Sequence, residues 1–303
     1  MSTVFIGTTD FAAAVLERLA RSDAHRPLLV ITRPDRPSGR GRRLSAPPVA
    51  HAARALGIAL EQPPNVNDVP ARESITRALG AAGTVVVCAF GALIKEPLLS
   101  EHELLNVHPS LVPRWRGAAP VERAIMAGDR LTGVSIMRLT AGLDSGPVCL
   151  SASEPIGGDD TYGSLAARLR ELAGELLVRA LDQRPPFVEQ PEDGVSYAEK
   201  IRPDDRLLDP SRPAVELERV VRALAPHIGA RVALPGGSLL GVHRATLPDT
   251  RAPRARGLYA SDGRLLLGCA PGVLELLDVQ PAGGRAMDAA SYLRGHTPFQ
   301  GAA

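Results

Sequence analysis

Apolar and polar positions change period along the first two thirds of the chain, so that strands and helices are predicted in turn. Ser2 to Gly7 is a short β-rich run. The turn Gly7-Thr8-Thr9-Asp10-Phe11 then leads into a stretch whose apolar positions Phe11, Val15, Leu16 and Leu19 keep helical spacing. Leu28 to Thr32 reads as the next strand, Pro47 to Leu56 as a helix with Pro in its first turn, Ile58 to Leu60 as a strand and Val69 to Leu79 as a helix. Thr84 to Ala89 is a continuous, mostly β-branched run, the pattern of a strand buried on both faces. A βαβ opening of this kind predicts an α/β fold with a Rossmann-like, mostly parallel sheet wrapped by helices and ligands at the carboxyl ends of its strands.

An apolar strand end at Leu104 to His108 is followed by a Pro- and Arg-rich loop, then by a helix from Pro120 to about Ala127 and a strand from Gly133 to Leu139. Thr140 to Pro147 is a tight polar turn, Val148 to Leu150 resumes as strand, and Thr161 to Leu181 is a long amphipathic helix. From Arg184 to Pro213 the composition shifts to Pro, Asp, Glu and Arg with little periodicity, which reads as a linker. The expected boundaries are a domain over 1–186, a linker over 187–208 and a second domain over 209–303. That second domain holds one helix, Ala214 to Leu224. Short apolar runs follow at Arg231 to Leu234, Ser238 to Val242, Gly257 to Tyr259, Arg264 to Cys269 and Gly272 to Leu277. Short strands with frequent turns suggest a small β-barrel, OB-like in size, and such barrels often bind oligonucleotides.

The candidate chemistry lies in LLNVHPSLVPRWRGAAP, Leu104 to Pro120. With a period of two, Asn106 and His108 emerge on one strand face while Val107 points the other way. A carboxamide N–H stabilises an oxygen gaining negative charge and a neutral imidazole takes a proton, so the pair suits attack on a carbonyl; the ordinary alternative, which the dipeptide alone favours, is a capped turn with a hydrogen-bonded surface His. Asp144, in the turn Gly142-Leu143-Asp144-Ser145-Gly146, is the natural third member, where it would fix the imidazole tautomer; an Asp before Ser-Gly is also an ordinary turn former. Phe90 to Ile94 offers an apolar, partly glycine-lined wall for a flat heterocycle, or simply core packing. Arg33 to Arg43 carries Arg33, Arg36, Arg40, Arg42 and Arg43 against Asp35, with Pro and Gly opposing regular structure. A mobile basic loop suits phosphate backbones, the alternative being a solvated loop with no partner.

Composition narrows the field. At 303 residues with 45% apolar residues the chain suits two globular domains, and a net charge of +2 confines any nucleic-acid site to a local patch. The first turn has no G-x-G-x-x-G and no Walker-type Lys, which rejects a dinucleotide-dependent oxidoreductase and a phosphate loop. Cys88, Cys149 and Cys269 stand singly in apolar runs and are expected as buried thiols in a reducing cytoplasm. No signal peptide and no apolar run of ~18 residues is present, so a soluble cytoplasmic protein is expected.

Taken together these residues resemble methionyl-tRNA formyltransferases, along nearly the whole chain. The resemblance is carried by the opening at Gly7 to Phe11, RPDRPSGRGRR, NVHPSLVPRWRGAAP, the GLDSG turn, SYAEK at Ser196 to Lys200, the LERVVRA helix and DVQPAGG at Asp278 to Gly284. It implies a catalytic trio of Asn106, His108 and Asp144, with 10-formyltetrahydrofolate as donor and no metal. Ser110, Leu111, Val112 and Pro113 match the folate-contacting signature, with Val112 replacing a usual Leu, and the cleft beside Phe90, Gly91, Ala92 and Leu93 would seat the pterin. Arg36, Arg40, Arg42 and Arg43 match the loop that holds the acceptor stem of initiator methionyl-tRNA. No membrane and no obligate protein partner is implied. The Asn-x-His plus Asp set is shared by folate-dependent formyltransferases generally, so a small amine such as a nucleotide-linked amino sugar is the alternative acceptor, and an RNA-binding protein without catalysis a further one. Thr9 stands where the family usually has Pro, Pro226-His227 replaces Pro-Trp, and the tail beyond Tyr292 is short.

Overall fold

A computed structural model of the chain describes residues 2–38, 43–249 and 255–296. The chain forms two compact units: one takes the residues up to Gly117, Leu131–Pro155 and Ala166–Tyr197, and the other takes Ala118–Arg130, Ile156–Leu165 and the chain from Ala198.

The first unit opens with β1 (Ser2–Gly7), α1 (Asp10–Ala20) and β2 (Leu29–Ile31). The Thr9 hydroxyl accepts from the Ala12 N–H at 3.4 Å and caps α1, whose Phe11, Val15, Leu16 and Leu19 are buried as their spacing predicts. Next come β3 (Arg36–Ser38), β4 (Arg43–Ser45), α2 (Pro48–Ala55), β5 (Ala59–Glu61), α3 (Val69–Leu79), β6 (Gly83–Cys88), the short α4 (Leu98–Glu101), β7 (Glu103–His108) and β8 (Arg116–Gly117). Within the sheet, β5, β2, β1, β6 and β7 run parallel. After α5 (Pro120–Ala127), which belongs to the second unit, β9 (Leu131–Arg138) and β10 (Val148–Pro155) extend the sheet antiparallel, giving the order β10-β9-β7-β6-β1-β2-β5. Val4, Ile6, Val85, Val87, Leu104 and Phe90 share one hydrophobic core with Ile75 and Leu79 of α3. Burial on both faces accounts for the unbroken apolar strands.

The basic stretch departs from its expectation as a loop without regular structure. β3 and β4 pair antiparallel in the register Arg36↔Ser45, Pro37↔Leu44 and Ser38↔Arg43. A two-stranded ribbon consists only of edges, so Pro37, which could not donate within a central strand, is tolerated. Arg40 and Arg42 lie outside the described residues.

The helix α6 (Tyr162–Gln183) and the short strand β11 (Tyr197–Ala198) precede a 3₁₀ turn, Asp204–Arg206, so the stretch read as a linker contains ordered turns. The second unit continues with α7 (Ala214–Leu224), β12 (Ala230–Ala233), β13 (Leu239–Thr246), β14 (Gly257–Ser261), β15 (Arg264–Gly268), β16 (Val273–Gln280), β17 (Met287–Asp288) and α8 (Ala289–Gly295). Its antiparallel sheet has the order β12-β13-β16-β15-β14, with β17 on β16, and the end strands β12 and β14 are not paired to each other among the described residues. Register shifts near Arg244 interrupt the β13–β16 ladder, a feature that bends a sheet. Leu217, Val220, Val221 and Leu224 of α7 and Tyr292 of α8 fill the interior against Leu240, Val242, Leu265, Leu274 and Leu276.

The helix α5 belongs to this unit because its polar groups are spent there. The Arg123 guanidinium donates to both Asp205 oxygens at 3.0 and 2.9 Å, and Glu122 meets His227 at 3.0 Å while Tyr162 stacks on the same imidazole. Among the described residues no helix is long and apolar enough to cross a membrane. Of the three thiols, Cys88 and Cys269 are buried as expected, but Cys149 is only half-buried because β10 is the edge strand of its sheet.

Candidate active site

Asn106 and His108 occupy the end of β7, between β6 and β9. Asn106 pairs with Val87 on one side and Met137 on the other, and His108 pairs with Ser135. Both side chains are buried, at 8% and 4% residual exposure, so their polar atoms depend on protein partners or a ligand rather than bulk water. The alternative of a surface His on a capped turn is thereby removed.

The turn after β9 brings Asp144 to this strand end. Its Oδ1 accepts from Asn106 Nδ2 at 3.2 Å and its Oδ2 accepts from the Gly117 N–H at 2.8 Å. Since a carboxylate only accepts, the nitrogen of the Asn106 carboxamide must face Asp144, which fixes the amide's orientation and leaves its second N–H for a ligand. Asp144 adopts φ 45°, a left-handed conformation uncommon outside glycine but accessible to Asp.

His108 is oriented differently from the expectation that Asp144 sets its tautomer. Its Nε2–H donates to the Trp115 carbonyl at 2.9 Å, whereas Nδ1 stands 3.6 Å from Asp144 Oδ2, beyond hydrogen-bond length. The backbone of the loop after β7 therefore selects the tautomer, and in the neutral ring Nδ1 carries the lone pair. A proton arriving there meets the Asp144 carboxylate across a short gap in a largely dry site, where the attraction is strong.

The remaining expected residues divide by environment. Ser110 is fully buried, and its hydroxyl donates to the Arg114 carbonyl at 2.7 Å, so it shapes the loop. Leu111 and Val112 are half-buried and line a cavity of about 380 Å³ with Ser135, Cys149 and Gln190; none of Asn106, His108 or Asp144 lines it. Pro113 is half-buried beside them, and its carbonyl accepts from the Ser196 N–H at 3.2 Å. The Phe90 ring does not line an open wall. It is 5% exposed and packs in the core with Val87 and Ile94, while its carbonyl accepts from the Thr8 hydroxyl at 2.8 Å. Gly91, Ala92 and Leu93 are exposed beyond the end of β6, the strand next to β7. Arg36 is exposed on β3, and Arg43 begins β4. Among the described residues no group of three or more His, Cys, Asp or Glu could hold a metal ion.

Three participants carried no usable sequence signal: the Trp115 carbonyl, the Gly117 N–H and Gln190, whose side chain reaches the Asp144 turn. The first two are backbone groups, invisible to residue type, and Gln190 lies in the stretch whose composition reads as linker.

Comparison with known proteins gives two consecutive matches along the chain. Residues 1–181 match the family model described as formyl transferase, and residues 200–297 match formyl transferase, C-terminal domain. A protein of Halorhodospira halophila (strain DSM 244 / SL1) named methionyl-tRNA formyltransferase is 42% identical, covering 96% of this chain and 95% of its own length. One of the same name from Dechloromonas aromatica (strain RCB) is 40% identical over 98% of this chain and 96% of its own. Among solved structures, HypX from Aquifex aeolicus in complex with tetrahydrofolic acid aligns with a TM-score of 0.64 at 17% identity, over 96% of this chain and 46% of that one. Methionyl-tRNA formyltransferase from Clostridium thermocellum aligns with a TM-score of 0.60 at 11% identity, over 91% of this chain and 99% of that one, and both likenesses speak to fold alone. On the two consecutive model matches and on relatives that match it nearly end to end, this chain belongs to the methionyl-tRNA formyltransferase family.

Proposed function

We propose that the protein transfers the formyl group of 10-formyltetrahydrofolate to the α-amine of methionyl-tRNA, with Asn106, His108 and Asp144 as the reacting constellation. The observation that carries this reading is the convergence of a buried carboxamide, an imidazole and a carboxylate at one strand end, in a chain whose relatives at about 40% identity bear that enzyme's name.

The neutral amine attacks the formyl carbon, and the carbonyl π pair moves onto the formyl oxygen. The free N–H of Asn106 donates to that oxyanion, a kind of contact whose loss costs ~10²–10³ in rate. The proton shed by the attacking nitrogen goes to His108 Nδ1, and the Asp144 carboxylate 3.6 Å away stabilises the imidazolium so formed. Collapse of the intermediate re-forms the carbonyl, breaks the bond to N10, and returns the proton from His108 to the departing nitrogen. Exposed Gly91, Ala92 and Leu93 next to β7 are the wall for the pterin, and Leu111 to Pro113 hold the folate from the other side. Arg36 and Arg43 on the β3–β4 ribbon, with Arg40 and Arg42 between them in sequence, hold the acceptor stem of the initiator tRNA as a local basic patch. The curled antiparallel sheet of the second unit is an OB-like, half-open barrel that adds to RNA contact. The working place is the cytoplasm, where charged tRNA is available.

The test is transfer of radiolabelled formyl from 10-formyltetrahydrofolate to initiator methionyl-tRNA, with a nucleotide-linked amino sugar as second acceptor. Transfer to the tRNA and not to the sugar supports the reading. Transfer only to the sugar overturns the acceptor, and absence of transfer from the folded protein overturns the reaction.

A further inference from the structure

Gln190 stands in the stretch between α6 and β11, whose composition suggests nothing but a connector. Its surroundings are those of a structural hub. Val188, two residues earlier, exchanges both backbone hydrogen bonds with Val148, each 2.8 Å, which pins the extended chain to the start of β10. In an extended chain alternate residues share a side, so Gln190 follows Val188 onto the face over the Asp144 turn.

All the strong hydrogen-bonding capacity of this carboxamide is directed at the catalytic segment. Nε2 donates to the Asp144 carbonyl at 2.9 Å and to the Gly146 carbonyl at 2.7 Å, while Oε1 accepts from Arg116 Nε at 3.0 Å and Nη2 at 2.7 Å. One side chain thus grips the backbone of Asp144 and the residue next to Gly117, whose N–H is the second support of the Asp144 carboxylate. The grip falls where the backbone needs it, because Asp144 sits at φ 45°. A non-glycine residue in that region persists only where its surroundings hold it. The donor and acceptor ends are not interchangeable: two carbonyls require N–H groups, and the guanidinium requires an oxygen.

We propose that Gln190 is a positioning residue for formyl transfer, holding the Asp144 turn so that the carboxylate meets Asn106 Nδ2 and faces His108. This rests on the reading of Asp144 given above. Because the effect is on the placement of the reacting groups and not on substrate contact, it falls on kcat and not on KM.

The test is a double-mutant cycle on the full chain under single-turnover conditions, with thermal melts alongside. Gln190→Met keeps the length and removes every polar contact. Gln190→Glu keeps the acceptor for Arg116, and therefore the tie that favours folding, but turns a carboxylate toward two carbonyls. Both should lower kcat by about 10- to 100-fold, the range that small misplacement of reacting groups produces. KM for the folate and for the tRNA should stay within about twofold. In an Asp144→Asn background the additional loss from Gln190→Met should shrink to near nothing. A multiplicative loss in that background, or wild-type kcat in folded Gln190→Glu, overturns the inference while leaving the role of Asp144 standing. Wild-type kcat in Asp144→Asn alone overturns the reading on which it rests.

Discussion

Replacing Asn106 with Ala isolates the group assigned to the oxyanion. The carboxamide has two N–H donors, of which one is held by Asp144 Oδ1 at 3.2 Å, and the residue is 8% exposed, so water cannot substitute readily for the lost donor. Loss of the other donor from a forming oxyanion costs ~10²–10³ in kcat, about 2.7–4 kcal/mol. The ground-state formyl oxygen carries little charge, and a neutral hydrogen bond there is worth only about 0.5–1.5 kcal/mol, so KM for the folate should rise by no more than about tenfold. Asp144 keeps the Gly117 N–H, and the Tm should fall by a few degrees only. Asn106→Asp sharpens the argument, since it is nearly isosteric but sets a second carboxyl where the donor to Asp144 stood. Two carboxylates at that distance do not both ionise, so one proton is shared and transfer is lost at neutral pH. The assay is single-turnover transfer of labelled formyl to methionyl-tRNA, with melting curves for each variant. A folded Asn106→Ala protein with kcat within about threefold of wild type would refute the oxyanion assignment.

Further outcomes follow from other parts of the molecule. The Arg123 guanidinium holds the Asp205 carboxyl below its ordinary range, so the stability this pair supplies is fully present above the unfolded carboxyl pKa of ~3.9 and is lost as pH falls through the lower folded value. Arg123→Ala should lower the Tm at pH 7, with the difference from wild type shrinking as pH falls below the unfolded carboxyl pKa of ~3.9; a difference that does not shrink on acidification would count against the linkage. Burial raises all three thiols, Cys269 to about 11, but Cys149 is only half-buried, so iodoacetamide should label it first in the native protein and Cys149→Ser should abolish that early labelling. Persistence of fast labelling in Cys149→Ser would contradict the burial pattern. Transfer to tRNA should weaken steeply between 50 and about 200 mM salt, and Arg40→Ala should raise KM for tRNA while leaving KM for folate unchanged. An unchanged KM for tRNA would remove that loop from the interface.

The elements most legible in the sequence are those whose burial is one-sided or complete. Phe11, Val15, Leu16 and Leu19 specify α1, and the run through Val85 to Val87 specifies a central strand, because periodicity records what each side chain faces. Asn106 and His108 were readable for the same reason, their alternation along β7. Elsewhere local composition was overruled by tertiary partners. Pro37 argues against a strand, yet ribbon edges accept it, and Phe90 beside Gly91 reads as a ligand wall although its ring has a place in the core. The edge position of β10 leaves Cys149 half-buried in an apolar run, and strand order is not written in a strand's own residues. Least legible was the frame around Asp144, since Trp115 and Gly117 act through backbone atoms and Gln190 acts from a stretch without periodicity.

The most direct test of the central claim is the pre-steady-state rate of formyl transfer to methionyl-tRNA by His108→Ala beside the wild type. General acid–base catalysis contributes ~10²–10⁴ in rate, so the account predicts a fall of that size in kcat, with both substrates still bound at near wild-type KM. A folded His108→Ala protein that transfers formyl at close to the wild-type rate would contradict the assignment of β7 as the seat of the chemistry.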